Sequence, residues 1–280
     1  MKTLLIDCSF LCHRAIHTMG HLSAGNHRTG VIFGFLKQIQ SISNDWDSNK
    51  LIFCWDSKKS KRKVLFPGYK DRVSKLTEAE KEEREIQYAQ FDQLREWVIP
   101  TMGFSNSFHQ SGYEADDIMA AIALNYDRDF LMVTADEDMF QILDMTDMWS
   151  PTKPEVVHTY KSFENKWGIF PEQWADVKAL AGCKSDTVPG ISGVGEKKAA
   201  AWLRKEMNPK TETYNKIKNN AAEMYLRNIP LVKLPMEGTK IPKLRRDKFS
   251  PKGFHKVCDR YLFTHLEPST DDFLIKRIMV

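Results

Sequence analysis

The chain has no run of about 18 consecutive apolar residues, so it offers no stretch suited to a membrane-spanning helix. Cysteine is sparse: Cys8, Cys12, Cys54, Cys183 and Cys258 are scattered, odd in number and without a CxxC pair. That pattern argues against a disulfide framework and a zinc ribbon, and it points to a reducing compartment. Charge of one sign is also lacking overall, the net charge being +4 over 280 residues. Long internal repeats and low-complexity tracts are absent, which leaves an ordinary soluble globular composition. The opening Met1-Lys2-Thr3-Leu4-Leu5-Ile6-Asp7 does not read as a secretion signal, because its apolar run stops at Asp7. A cytoplasmic location is therefore expected. The length suffices for one large domain or two smaller ones.

What the sequence does contain is a repeated motif, an apolar strand that ends in acid. Thr3-Leu4-Leu5-Ile6 stops at Asp7, and Leu51-Ile52-Phe53-Cys54-Trp55 stops at Asp56. Phe130-Leu131-Met132-Val133-Thr134-Ala135 runs into Asp136, Glu137 and Asp138. Helical periodicity lies between these runs, so the pattern predicts an α/β fold, a mostly parallel sheet with helices on both faces. In such sheets the ligand sits beyond the carboxyl ends of the strands, and Asp7, Asp56 and Asp136 are predicted to converge there. Gly112-Tyr113-Glu114-Ala115-Asp116-Asp117 opens a helix predicted to reach about Tyr126 and to turn Glu114, Asp116 and Asp117 toward the same edge. Acids also suit the positive end of any helix, so the weight of this stretch comes from the acids that distant strands bring to it. Crowded carboxylates repel one another unless a cation joins them. An all-oxygen donor set favours Mg2+, with Mn2+ as a substitute. Two such ions about 4 Å apart can activate water and stabilise the leaving oxygen in phosphodiester hydrolysis.

After Asp56 the composition turns basic. Lys58, Lys59, Lys61, Arg62, Lys63, Lys70, Arg72 and Lys75 flank Phe66 and Tyr69, with Asp71 the lone acid among them. A one-signed stretch with aromatic rings inside it suits a nucleic-acid backbone and a stacked base. Lys70, beside Tyr69, is the residue expected to touch the scissile phosphate. Residues 78–97 alternate in charge and read as a salt-bridged helix that Pro100 ends. Residues 150–171 read as a connection to a second, mostly helical part, with helices at 173–181, 213–226 and 251–263. Within that part, Gly190-Ile191-Ser192-Gly193-Val194-Gly195-Glu196-Lys197-Lys198-Ala199 reads as a glycine hairpin between helices. Gly190, Gly193 and Gly195 would leave backbone N–H groups open to a phosphate, with Lys197 and Lys198 adding charge. Such contacts recognise shape and not base sequence. The expected division is a nuclease-like α/β domain at 1–170, with the basic insertion at about 57–97, and a helical part at 171–280 with the hairpin at 190–199.

Taken together, these residues resemble the 5′-3′ exonuclease/flap endonuclease family, particularly its compact bacteriophage members, from Asp7 to about residue 235. LLID at the start and WD at Asp56 match the family's first acids. GYEADD matches its most diagnostic motif, and TADEDMFQIL resembles its strand-end acids. The resemblance implies a PIN-like nuclease fold with a helical arch and a helix-hairpin-helix. It implies metal roles for Asp7, Asp56, Glu114, Asp116, Asp117, Asp136, Asp138 and Asp186, and a potassium ion at the hairpin 190–195. RKVLFPGYK resembles the arch, giving catalytic roles to Arg62 and Lys70; Val73 stands where the family has a second cation, and Arg72 is the nearest replacement. The family's GDxxDN loop is GCKSDT here, so Asp186 matches one acid and Cys183 replaces the other, weakening a second metal site. The implied partners are DNA with a 5′ flap, nick or 5′ end, RNA–DNA primer hybrids and replication proteins, in a prokaryotic or virus-infected cytoplasm. Two other readings account for less. A PIN-type ribonuclease shares the acidic edge but lacks the glycine hairpin, and a non-catalytic binder of branched DNA would follow from a degraded second metal site.

Overall fold

The computed structural model describes residues 1–25, 27–71 and 77–263. They form two compact units, each discontinuous in sequence: 1–56, 77–109 and 242–263 in one, 57–71 and 110–241 in the other.

The first unit is built on β1 (Thr3–Asp7), β2 (Leu51–Trp55) and β3 (Ser107–His109), all parallel, with β2 in the middle. Every residue of β1 and β2 is buried. Alternate side chains of a strand point to opposite faces, so both faces of this sheet are covered, as the continuous apolar runs predict. The helices Cys8–Met19 and Gly30–Asp45 approach closely because Gly34 faces Ala15; a Cβ on Gly34 would lie 2.9 Å from that of Ala15. Gln90, on the helix Glu78–Gln93, accepts hydrogen bonds from the N–H groups of Val31 and Ile32 at 3.0 and 3.3 Å. It thereby satisfies two donors that the start of the second helix leaves open. Pro100 does not end the helical run as predicted. Leu94–Val98 widens into a π-turn, and Ile99–Thr101 continues with Pro100 near its start, where a missing N–H costs little.

The end of the chain also departs from the expected division. Residues 242–263 pack with the first unit and not with the helical part. Lys248 N–H donates to Gly103 O at 2.9 Å and Ser250 N–H to Met102 O at 2.9 Å, while Asn106 pairs with both backbone groups of Arg245. Gly103 has φ +90°, and a Cβ there would meet Lys248 O at 1.9 Å. The helix Pro251–Tyr261 follows, with Phe254, Val257, Cys258 and Tyr261 buried.

The second unit carries β4 (Phe130–Val133) parallel to β5 (Asp147–Trp149), with β6 (Val157–His158) antiparallel at its side. The parallel α/β class read from the sequence is thus present in both units. The predicted connection at 150–171 holds β6 and a helix, Tyr160–Trp167, which Thr159 caps and Gly168 ends at φ +63°. Helices Trp174–Ala181, Glu196–Leu203 and Glu212–Val232 complete the unit. Asn228, fully buried, ties the last of these to the first and to the hairpin strand: its amide donates to Ala179 O at 2.8 Å and Pro189 O at 2.9 Å.

Replacing Gly103 with valine is expected to detach the 242–263 segment locally. Amide exchange at Lys248 and Ser250 should then accelerate toward that of a free loop; protection equal to that of the parent chain would show that the glycine is not what holds the segment.

Candidate metal centre and nucleic-acid interface

In the first unit, β1 and β2 run in register with Asp7 opposite Cys54, so Asp56 follows two residues beyond that pair. Both predicted ligands therefore stand at carboxyl ends of neighbouring parallel strands. Asp7 also caps the helix that follows, its Oδ1 accepting from Phe10 N–H at 2.9 Å. The Cys12 thiol beneath is raised well above its ordinary value, first by burial and then by the charges of Asp7 and Asp56.

In the second unit the GYEADD stretch forms the start of the helix Ala115–Asn125, with Glu114 at its cap position. The two flanking acids behave differently. Asp116 lies half-buried in the first turn. Asp117 is fully buried, and both its oxygens are filled. Arg62 donates to Oδ2 and Oδ1 at 2.7 Å each, Glu114 N–H to Oδ2 at 3.1 Å, and Met236 N–H to Oδ1 at 2.8 Å. A carboxylate holding four donors has no lone pair left for a cation. The expectation of Asp117 as a metal ligand is therefore corrected: it anchors Arg62. The arch arginine is corrected with it. Arg62 is 2% exposed, its Nε donates to Leu231 O at 2.8 Å, and it cannot meet a phosphate from there. Burial opposes its charge, but the hydrogen bonds and charge of Asp117 outweigh burial and hold the guanidinium above its ordinary value.

Tyr69 is corrected as well. It is 1% exposed, so its ring cannot stack on a base. Its hydroxyl donates to Glu114 Oε2 at 3.0 Å or Asp186 Oδ2 at 3.3 Å. Burial keeps the phenol protonated, helped by those two carboxylates against the pull of Lys70. Lys70 stands among the carboxylates of this group. Its Nζ lies 2.9 Å from Glu114 Oε2 and 3.6 Å from Asp186 Oδ1, with about a third of the side chain open to solvent. Burial works against its charge, and Glu114 leads the charges that hold it protonated. Its backbone sits at φ +48°, a region that non-glycine residues seldom adopt, held by Lys70 N–H donating to Asp186 O at 2.8 Å. Arg72 lies outside the described residues.

A second acidic group adjoins this one through Asp186. Asp136 Oδ1 accepts from Asp138 N–H at 2.8 Å, capping the 3-10 turn Glu137–Ile142. Cys183 Sγ faces Asp138 Oδ2 at 3.6 Å and Ser185 Oγ at 2.8 Å. Ligand atoms of Asp138, Cys183 and Asp186 all lie within 4.8 Å of one another. Lys178, which the sequence reading passed over, stands 3.0 Å from both Asp138 Oδ1 and Glu196 Oε1. A lysine on the apolar helix Trp174–Ala181 was the available signal. Burial, then Asp136, pushes Asp138 up to about 6 against the pull of Lys178. Burial likewise pushes the Cys183 thiol up to about 12, with Asp138 and Asp186 adding to it.

The glycines of the hairpin divide by role. A Cβ on Gly190 would lie 2.2 Å from the Ala181 carbonyl carbon, so this glycine serves packing and not DNA contact. Gly193, at φ +78°, and Gly195, at the cap of Glu196–Leu203, have nothing within 4 Å of a built Cβ and are open to an approaching backbone. Lys197 is exposed. Lys198 Nζ donates to Gly193 O at 2.7 Å, so a potassium ion drawn to this hairpin would compete with a built-in ammonium for that carbonyl.

Residues 2–168 match the family described as the 5′-3′ exonuclease N-terminal resolvase-like domain, and residues 169–230 match the 5′-3′ exonuclease C-terminal SAM fold. A 5′-3′ exonuclease of Buchnera aphidicola subsp. Schizaphis graminum is 32% identical over 221 residues, which cover 76% of this chain and 73% of the relative. The 5′-3′ exonuclease of Bacillus subtilis is 31% identical over 218 residues, covering 72% and 70%. Among solved structures, the T5 D15 protein co-crystallised with metal ions superposes with a TM-score of 0.71 at 22% identity, covering 84% of this chain and 90% of that one. That last likeness is one of fold.

Asp117→Ala is expected to cost about 3–5 kcal/mol of stability, because it leaves the Arg62 charge buried without its partner. Urea unfolding reads this directly, and a loss below about 1 kcal/mol would mean that the pair is not structural.

Proposed function

The chain belongs to the 5′-3′ exonuclease family, and from that premise we propose that it hydrolyses DNA phosphodiester bonds with divalent metal, selecting 5′ flaps, nicks and 5′ ends by shape. The observation that carries the reading is Glu114: a buried carboxylate at a helix start with Lys70 on one oxygen and Asp116 in the first turn that follows. Oxygen donors of this kind suit Mg2+, and Mn2+ would substitute. We assign metal roles to Asp7, Asp56, Glu114, Asp116, Asp136, Asp138 and Asp186. Bound metal supplies an activated water and charge for the departing oxygen.

The chain's own residues do the rest. Lys70 keeps its proton beside Glu114 and Asp186 and has an exposed flank, so it can carry positive charge to the scissile phosphate. The Tyr69 hydroxyl, lying between the Glu114 and Asp186 carboxylates, donates its hydrogen bond to one or the other and helps hold them in place. The uncrowded backbone at Gly193 and Gly195, with Lys197, holds a backbone phosphate away from the reacting bond. Cleavage of RNA in RNA–DNA primers, contact with replication proteins and a cytoplasmic site of action belong to the same proposal.

A 5′-flap duplex incubated with Mg2+ tests it. The parent chain should cleave near the junction, and Asp116→Asn should bring cleavage to background while flap binding persists, since no phosphate contact is lost. Normal turnover by Asp116→Asn would overturn the metal assignment. Flap binding without any turnover by the parent would favour the non-catalytic reading that Cys183 raises. Lys197→Ala should weaken binding and flatten its salt dependence by about one counterion, read from affinities at several salt concentrations.

A further inference from the structure

The loop that departs from the family pattern brings a sulfur into an otherwise oxygen-rich pocket. Cys183 is buried on the short strand Gly182–Cys183, which pairs with Val188–Pro189 and so curls the intervening loop back on itself. That curl sets Asp186 beside Cys183, and the 3-10 turn supplies Asp138 from across the pocket. The ligand atoms of all three stand within 4.8 Å of one another.

A second observation concerns the charge at Asp138. Asp138 is 6% exposed, and its Oδ1 is buried without a hydrogen bond. Lys178 Nζ reaches within 3.0 Å of that oxygen but outside hydrogen-bond angles, and it faces Glu196 at the same distance. One ammonium is thus shared between two carboxylates, and the charge on the inner oxygen of Asp138 is only partly met.

Mg2+ fits this donor set poorly. It asks for a near-octahedral shell of oxygens, and here a sulfur occupies one position. Zn2+ and Cd2+ take thiolate and carboxylate together, and three protein donors leave a fourth position for water or a phosphate oxygen. Tetrahedral bonds of about 2.0–2.3 Å set donors about 3.3–3.8 Å apart, a contraction within reach of side-chain rotation. We propose that Asp138, Cys183 and Asp186 form a thiophilic divalent-metal site that selects Zn2+ or Cd2+ over Mg2+. The proposal deepens the nuclease reading at this one site, because its metal preference comes from Cys183 and its place from Asp138 and Asp186. Binding breaks the Cys183 S–H bond, releases the proton to solvent and leaves the sulfur electron pair to the metal; no oxidation is involved.

The test uses the metal-stripped full chain titrated with Co2+ under reducing, oxygen-free conditions. A near-ultraviolet sulfur-to-cobalt charge-transfer band should grow to about one equivalent. Zn2+ or Cd2+ should bleach it at stoichiometric amounts, whereas Mg2+ in large excess should not. Cys183→Ser should lose the band and lower Cd2+ affinity by about tenfold or more in calorimetry. Cys183→Asp should also lack the band and shift preference toward Mg2+; it serves as the second reading should the serine variant fail to fold, which circular dichroism shows. Cys8, Cys12, Cys54 and Cys258 remain in both variants, so a band that survives in either overturns the proposal, as does bleaching by Mg2+. Mg2+-dependent flap cleavage is measured on the same preparation. Cleavage without the band overturns this inference alone, and the band without cleavage overturns the nuclease reading alone.

Discussion

The polar interior of the second unit depends on one ion pair, the Arg62 guanidinium forked onto Asp117. A buried pair of this kind stabilises only when the remaining donors and acceptors are also satisfied. Here Asp117 holds four donors, and Arg62 Nε finds the Leu231 carbonyl. The pair therefore clasps three stretches of chain: the basic segment around Arg62, the start of the helix Ala115–Asn125, and the backbone from Leu231 to Met236. Glu114 is positioned as a by-product, since its own N–H is one of the four donors. Tyr69 and Lys70 follow Arg62 along the chain and arrive on Glu114 and Asp186 from the same side. A basic segment that reads as a phosphate-binding surface thus spends its most buried cation on fixing the acids.

Lys70 keeps what Arg62 gives up. Its positive φ would cost of order 1–3 kcal/mol in an unsupported loop. The backbone bond to Asp186 O and the ion pair with Glu114 over-determine it, and the strain aims the ammonium at the carboxylates while leaving one flank in solvent. Lys178 plays the more enclosed part, between Asp138 and Glu196. The two lysines differ in exposure: Lys70 keeps about a third of its side chain open to solvent, and Lys178 is enclosed.

Much of this was legible in sequence at the level of elements. Strand runs ending in Asp7, Asp56 and Asp136, and a helix starting at Glu114, follow from apolar runs and capping chemistry that act locally. The roles within the acidic stretch were not legible. Asp116 and Asp117 are the same residue one position apart, and only the helix phase relative to a distant arginine decides which is walled in. Tyr69 and Gly190 were misread for a related reason. An aromatic among lysines and a glycine in a hairpin look like ligand contacts, but Glu114, distant in sequence, and the close approach of the Ala181 backbone use them up. The return of residues 242–263 to the first unit rests on Gly103, whose positive φ no periodicity announces. Cys183 was visible as a departure, but whether it faced the acids depended on the curl of a two-residue strand pair.

The acids that are fully paired and the acids that are not divide this interior into scaffold and site. Asp117 is as buried as any group in the chain, and its charge is met from every side. Asp138 is nearly as buried, but its inner oxygen has no hydrogen bond, and its carboxyl is pushed up to about 6, first by burial and then by Asp136. An unfolded aspartate titrates near about 3.9. Folding therefore favours the protonated form, and the stability this group lends is complete below the unfolded value and is lost as pH rises through about 6. Near neutral pH the metal-free protein carries a carboxylate that its own fold disfavours. A cation at that oxygen reverses the sign, because the ionised form is the one that binds it. Sequences are locally consistent where they only need to fold, and conflicts of this kind concentrate where something must bind. The inner oxygen of Asp138 is such a conflict: Lys178 lies 3.0 Å from it but is shared with Glu196, so its charge is only partly met.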